Sequence, residues 1–368
     1  MTDKITKLLA YNGKISIVCI DSTNLVEQAR ITHDLSPVVT AAFGRMLTIT
    51  AIMAQEMKNK TDKLTIQVKG NGEIGTMLTV ANNKPKIKGY VTNPYVDLPL
   101  NEFGKLDVGK AVGYEGYINV IKDIGLKDPY IGISPLTSGE IADDFTNYFV
   151  NSEQRNSAVA LGVLVNKDGV KSAGGYLINP MPDAGEDEIA KVEQAIFKAG
   201  AISKMLNENL SLLEIAKRVT GDENVKIIED NIIPVYECDC SKEKMAGALA
   251  TIGKTELEKI ITEEGEAELV CHFCNKKYKF SKQELQEIST NEGQPTRVNQ
   301  RGQPTGTDLL VEWLINKNII INYKKIQPKG PSPLVDPVGW PPLVDPRWLT
   351  LLVDLVGWKM KGSLEDGK

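Results

Sequence analysis

The sequence predicts an α+β protein: an N-terminal mixed α/β-sheet domain over residues 1–180, a helical linker over 181–230, and a small C-terminal four-cysteine zinc module over 231–290. Three observations lead there. Short β-branched runs and helical stripes mix over the first 180 residues without regular βα alternation, which favours α+β over a doubly wound sheet. After Pro180-Met-Pro182 the pattern turns helical, with little apolar surface for a separate core. Four of the five cysteines then cluster between Cys238 and Cys274.

Composition sets the outer bounds. With 368 residues there is room for two or three domains, and 42% hydrophobic with 25% charged residues is ordinary for a globular protein. A net charge of −5 argues against broad nucleic-acid binding, which needs clustered Lys and Arg. The first residues do not read as a secretory signal, and no eighteen-residue apolar run predicts a membrane span. The expected location is the cytoplasm, and neither nucleic acid nor membrane is an expected partner.

Lys14–Ile20 is apolar on both faces and reads as a buried strand, with Cys19 as a small buried hydrophobe inside it. Ser36 as N-cap and Pro37 at the first turn open a long helix carrying Val39, Phe43, Met46, Leu47, Thr50 and Met53 at helical spacing. Leu64–Lys69 alternates, Gly70-Asn71-Gly72 is a turn, and Gly75–Val80 is the hairpin partner. Lys88–Thr92 and Gly116–Ile121 continue the strands, a capped helix runs from Ser138, and Ala158–Val165 and Gly174–Asn179 are two further strands. In the linker, Asp183 can cap a helix whose first turn holds Glu186, Asp187 and Glu188, and whose stripe is Ile189, Val192 and Ile196. Ser211-x-x-Glu214 is a capping box for a second helix.

Cys238-Asp-Cys240 is followed, after thirty residues, by Cys271-His-Phe-Cys274. Two close thiol pairs joined by a short module suit a tetrahedral zinc, one per chain, with Cys238, Cys240, Cys271 and Cys274 as ligands. His272 lies between two better ligands, and His33 has no partner motif. The residues between the pairs read as two helices, and Ala267–Cys271 with Tyr278–Phe280 as a hairpin. So small a module lacks an adequate apolar core, so metal binding must supply much of its folding free energy, on the order of 10–16 kcal/mol. Oxidising the thiolates would remove the ligands and unfold the module. A purely structural zinc knuckle is the plainer alternative.

The Cys-x-Cys…Cys-x-x-Cys pattern behind an α+β domain resembles the bacterial redox-regulated heat-shock holdases, the 33 kDa chaperonin family. The resemblance covers residues 1 to about 290. It rests also on Ser36–Arg45, Lys69-Gly-Asn-Gly72, Gly89–Pro94, Thr137–Ala142, Ser152-Glu-Gln154, Gly174-Gly-Tyr176 and Cys271–Asn275. It implies a non-enzymatic, ATP-independent chaperone that is monomeric and zinc-bound when reduced. When oxidised it would carry Cys238–Cys240 and Cys271–Cys274 disulfides, lose zinc, unfold its linker, dimerise and hold unfolding client proteins. Ile189, Val192 and Ile196 are the expected client-binding residues. No Walker-type phosphate loop is present.

Two rivals remain. A structural zinc-ribbon nucleic-acid binder would need basic residues near the site, where Glu263, Glu264, Glu266 and Glu268 stand instead. A thiol oxidoreductase using Cys271-x-x-Cys274 would need a thioredoxin-like βαβ setting. The resemblance ends near residue 291. The remaining tail, 291–368, repeats Gly-Gln-Pro-Thr and three Leu-Val-Asp segments, and it holds all four tryptophans. It reads as a disordered appendage, a partner-binding extension or an in-frame read-through, and no function is assigned to it.

Overall fold

The structure is a computed structural model that describes residues 3–252, 254–290 and the backbone of 319–322; the tail repeats lie outside the described residues. In chain order the elements are β1 (Lys4–Ala10), β2 (Ile15–Asp21), α1 (Thr23–His33), α2 (Pro37–Met53), β3 (Lys63–Gly70), β4 (Thr76–Asn82), β5 (Lys86–Val91), α3 (Val108–Val112), β6 (Gly116–Asp123), β7 (Tyr130–Pro135), α4 (Ala142–Asn151), β8 (Ala158–Asn166), β9 (Gly169–Pro180), α5 (Glu186–Ala199), α6 (Ile202–Asn207), α7 (Leu212–Thr220), β10 (Lys226–Ile232), β11 (Val235–Tyr236), α8 (Lys242–Leu249), α9 (Lys254–Glu263), β12 (Glu266–Cys271), β13 (Lys277–Ser281), α10 (Lys282–Thr290) and β14 (Ile319–Asn322). The expected α+β class holds. Two compact units divide these elements: one holds residues up to 245 together with 269–278, the other 246–268 with the described residues after 278.

In the first unit, β10-β1-β2-β9-β8 form one sheet and β11-β5-β4-β3-β6-β7 a second. Helix α2 packs on β2, β8 and β9 of one sheet and on β3, β4 and β5 of the other. Apart from Pro37 and Arg45 its residues are all buried, which is why its apolar positions show no single-face stripe. It is long and apolar enough to span a membrane, yet 89% of its most apolar stretch is buried inside the fold. That burial marks a core helix.

The opposite face of the first sheet carries α6 and α7. Leu8, Ile15, Ile17, Cys19, Tyr176 and Ile178 from the strands form a second core with Val192, Ile202, Met205, Ile215 and Val219 from the helices. The linker helices therefore share the core of the sheet, as their thin stripes require. Strands β10 and β11 return the chain to the two sheets: β10 pairs antiparallel with β1, and β11 parallel with β5.

Two expected helix starts shift, and a third keeps its place without the expected cap. Helix α2 starts at Pro37 after Ser36 as expected, but the Ser36 hydroxyl donates to the Val96 carbonyl (2.7 Å) and makes no side-chain cap. Helix α4 begins at Ala142, later than Ser138, because Asp144 accepts the backbone N–H groups of Thr137, Ser138 and Ile141 and so folds that stretch into a turn. Helix α5 is preceded by Gly185, whose N–H donates to Glu188 (2.9 Å), leaving Asp183 outside the helix. The Ser211–Glu214 capping box is formed as expected. In the second unit, α9 buries Leu257, Ile260 and Ile261 and packs on α10, which buries Leu285.

Candidate metal centre

Four sulfur atoms define the site. Cys238 and Cys240 follow β11, Cys271 ends β12, and Cys274 lies on the turn after it; all four belong to the first unit. The Cys271–Lys276 turn is tight. Cys274 and Asn275 donate their N–H groups to the Cys271 carbonyl, and Cys271 donates to the Lys276 carbonyl. Asn275 takes the left-handed conformation (φ 57°) that closes the turn. The four Sγ atoms lie within 4.8 Å of one another, with Cys238···Cys271 at 3.7 Å and Cys240···Cys274 at 3.3 Å. Zinc–sulfur bonds of about 2.3 Å in a tetrahedron place sulfurs about 3.8 Å apart, so the spacing fits such an ion.

The electrostatics point the same way. The neighbouring Cys271 sulfur, and then burial, push the Cys238 thiol far up; burial and the Cys240 sulfur raise Cys274 to about 12. Four clustered thiols cannot all ionise without a compensating cation, and a dication in their midst reverses the balance. Donors already face the sulfurs. The Tyr278 hydroxyl donates to Cys240 Sγ (3.1 Å), and backbone N–H groups of Cys240 and Lys276 favour the thiolates of Cys238 and Cys274. Such outer contacts fix ligand orientation.

A second layer ties the cluster to the rest of the unit. Tyr236 Oη is a hub: it lies 2.7 Å from His33 Nε2, 2.7 Å from the Gly89 carbonyl and 3.0 Å from the Phe273 carbonyl. Because the hydroxyl proton goes to a carbonyl, His33 donates through Nε2–H and is neutral; burial lowers its pKa to about 4. A side chain at Gly89 would strike the Leu78 carbonyl at 2.5 Å and the Phe43 ring at 2.8 Å, so only glycine lets β5 lie this close to β4 and α2 where it accepts the tyrosine. Asn275 Nδ2 donates to the Thr32 carbonyl (2.8 Å), a second tie to the end of α1. Asp239, between the first two cysteines, pairs with Lys88 and Lys244. Burial would raise its carboxyl, but the two lysines outweigh it and hold it well below the usual range.

All four expected ligands come together. His272 does not join them; it packs on Tyr90 in a tilted arrangement with ring centroids 5.4 Å apart. His33 is buried and structural, and Cys19 is buried away from the cluster with its thiol pushed up to about 12 by burial. Ile189, Val192 and Ile196 lie on α5; Val192 is buried in the second core and Ile196 packs against it. The residues that sequence reasoning missed are Tyr236, Tyr278, Asn275 and Lys88. Their only signal was an aromatic or amide side chain within four residues of a cysteine, and Lys88 gave none. The lysines Lys86, Lys88 and Lys244 beside the site are paired with Glu237 or Asp239, which weakens the nucleic-acid reading.

Comparison with known proteins agrees with this geometry. The family model described as Hsp33 protein matches residues 3–281. The 33 kDa chaperonin of Caldanaerobacter subterraneus subsp. tengcongensis is 46% identical over 290 residues, covering 78% of this chain and 98% of the relative. That of Clostridioides difficile is 47% identical over 288 residues, covering 78% and 99%. The crystal structure of the Thermotoga maritima 33 kDa chaperonin superposes with a TM-score of 0.73 at 35% identity, covering 80% of this chain and 99% of that one. A two-sheet fold with this four-cysteine centre defines a class of molecular chaperone. The chain belongs to the Hsp33 family.

Proposed function

We propose that this chaperone is a redox-regulated, ATP-independent holdase of the cytoplasm that binds unfolding proteins under oxidative stress and catalyses no reaction. The observation that carries this is the cluster of Cys238, Cys240, Cys271 and Cys274, four thiols at zinc spacing joined to the chaperone fold by a few polar contacts. In the reduced monomer these residues hold one Zn2+, which supplies the charge that keeps all four as thiolates. Residues 1–180 serve as the chaperone domain, 181–230 as the metastable linker and 231–290 as the switch.

Oxidation removes the ligands. Each disulfide takes two thiolates, one peroxide and two protons from solvent: the two sulfurs together give up two electrons, the O–O bond breaks, and two waters leave. Two disulfides therefore consume two peroxides and leave no thiolate for the metal. We assign them as Cys238–Cys240 and Cys271–Cys274, the short local loops. In a near-tetrahedral cluster every pair of sulfurs is close, so distance alone does not choose the partners. With the metal gone, the Tyr236 and Asn275 ties lose the scaffold that holds them, and the linker is freed. Ile189, Val192 and Ile196 then become an apolar holding surface, and the active form is a homodimer.

The test is zinc release measured beside suppression of client aggregation, before and after peroxide with mild heat, with disulfides mapped by mass spectrometry. About one zinc per chain should leave, and only the oxidised form should hold client without ATP. Equal holding in both redox states would defeat the switch.

A further inference from the structure

We propose a second binding site, unrelated to the thiols: a cationic cavity at the base of the linker helices that takes a soluble oligophosphate anion. The cavity, about 370 Å³, is lined by Tyr11, Lys191, Gln194, Lys198 and Arg218, with Ala195, Ala199 and Gly221 as its small-residue wall. That volume lies at the low end for small-ligand sites. Three positive side chains line one concavity in a chain of net charge −5. Among the described residues none of the three is in an ion pair, whereas Lys14, Lys204 and Lys217 nearby are paired with Glu188, Glu208 and Glu223.

The two carboxylates that act on Tyr11, Asp222 and Glu188, are already engaged. Asp222 accepts the N–H groups of Tyr11 (2.6 Å) and Asn224 (2.8 Å), and Glu188 binds Lys14 (2.6 Å). The Tyr11 hydroxyl donates to the Thr220 carbonyl (2.8 Å), which fixes that wall. A competing account is that Lys198 and Arg218, in the last turns of α5 and α7, only answer the helix dipoles. Each dipole end is worth about half a charge. Two ends thus offset about one of the three positive charges, and Lys191, two turns earlier, is not answered at all. About two charges remain for an anion with several phosphate groups, with the Gln194 amide as a further donor.

Such a ligand would bridge α5, α7 and the turn at Tyr11. Resting on the linker reading above, it acts as a brake: it binds the packed linker and must leave before the linker is freed. At ten times its dissociation constant it would slow oxidative activation roughly tenfold.

The experiment titrates the full-length reduced protein with sodium tripolyphosphate by calorimetry at fixed ionic strength, so chaperone activity plays no part in the binding result. Saturable binding of one tripolyphosphate per chain is expected. It should weaken tenfold or more in the Lys191→Gln/Arg218→Gln double variant and persist in Lys127→Gln, a substitution of a surface lysine far along the chain. Circular dichroism confirms that each variant is folded. Absent or non-saturable binding, or equal binding by the double variant, overturns the site. Binding only to phosphatidylglycerol-containing vesicles, with none to free tripolyphosphate, overturns it equally. An unchanged rate of peroxide activation at saturating tripolyphosphate leaves the site standing and overturns the brake.

Discussion

The core around α2 and the four-cysteine centre belong to one compact unit, yet they are held by different physics. Helix α2 meets both sheets through side chains such as Phe43, Met46, Leu47 and Ile49, each fully buried. A buried side chain of this kind contributes about 1.5–3 kcal/mol, so the core is stabilised by many moderate terms and depends on no single one. Around the cysteines, β11 has two residues, the Cys271–Lys276 segment is a turn, and the polar ties include the Tyr236 hub, one Asn275 bond and the ion pairs of Glu237 and Asp239. Net hydrogen bonds contribute about 0.5–1.5 kcal/mol each and exposed ion pairs about 0–1. The first region needs no single contact to stay folded; the second, on the proposed reading, needs its thiolates bridged. Under the proposed redox switch, that asymmetry lets the cysteine segment give way while the scaffold stays folded.

Metal removal breaks the comparison most severely. Structural zinc contributes on the order of 10–16 kcal/mol, more than all the local ties together. Chelation of the reduced protein should abolish amide protection at residues 236–240 and 269–278 while β3, β4 and α2 keep theirs. Hydrogen exchange read by mass spectrometry checks this, and equal protection with and without chelator would show that the cysteine segment folds on its own contacts.

Acid probes the seam between the two regions. Burial lowers the pKa of His33 from 6.5 to about 4, so the fold binds fewer protons there than the unfolded chain does. Its contribution is fully present above about pH 6.5 and is lost as pH falls through that value towards 4. That lowering of the pKa corresponds to about 3 kcal/mol. Metal-bound thiolates also take up protons in acid, so the useful quantity is a difference between proteins. His33→Gln keeps an N–H for Tyr236 but cannot titrate, and denaturant unfolding should show a shallower fall in its stability between pH 6.5 and 4 than in the parent. Parallel curves would mean that His33 is solvated.

These two regions were also unequally legible in sequence. The strands around α2 announce themselves through alternation, as at Leu64–Lys69, and the cysteines through spacing alone. The missed elements lack those signals. Strand β10, Lys-Ile-Ile-Glu-Asp-Asn-Ile, is mostly exposed and bulged near Asn231 (φ 63°), so no buried face marks its period. Helix α1 buries only Leu25, Val26, Ala29 and His33, too few to stand out. Helix starts erred where a carboxylate further along took the backbone N–H groups: Asp144 folds Thr137–Ile141 into a turn ahead of α4, and Glu188 accepts from Gly185 ahead of α5. The Tyr236 hub could not be read at all, because its partners His33, Gly89 and Phe273 are distant in sequence and meet only in the tertiary fold.

The smallest expected effect refines the comparison within the linker itself. Helix α7 lays Leu212, Ile215, Ala216 and Val219 into the second core and carries its own cap: Ser211 Oγ donates to Glu214 Oε2 (2.6 Å), and the Ser211 N–H donates to the same carboxylate (2.8 Å). Helix α5, led by Gly185, has no side-chain cap hydroxyl. The linker is thus pinned more firmly at α7 than at α5. Replacing Ser211 by alanine should remove about 1 kcal/mol, too little to unfold the sheet core but enough to shift the linker equilibrium roughly fivefold towards release. Ser211→Ala should therefore activate at lower peroxide than the parent while binding zinc with unchanged affinity. An unchanged activation threshold would mean that α5, and not α7, is the element whose release sets the switch.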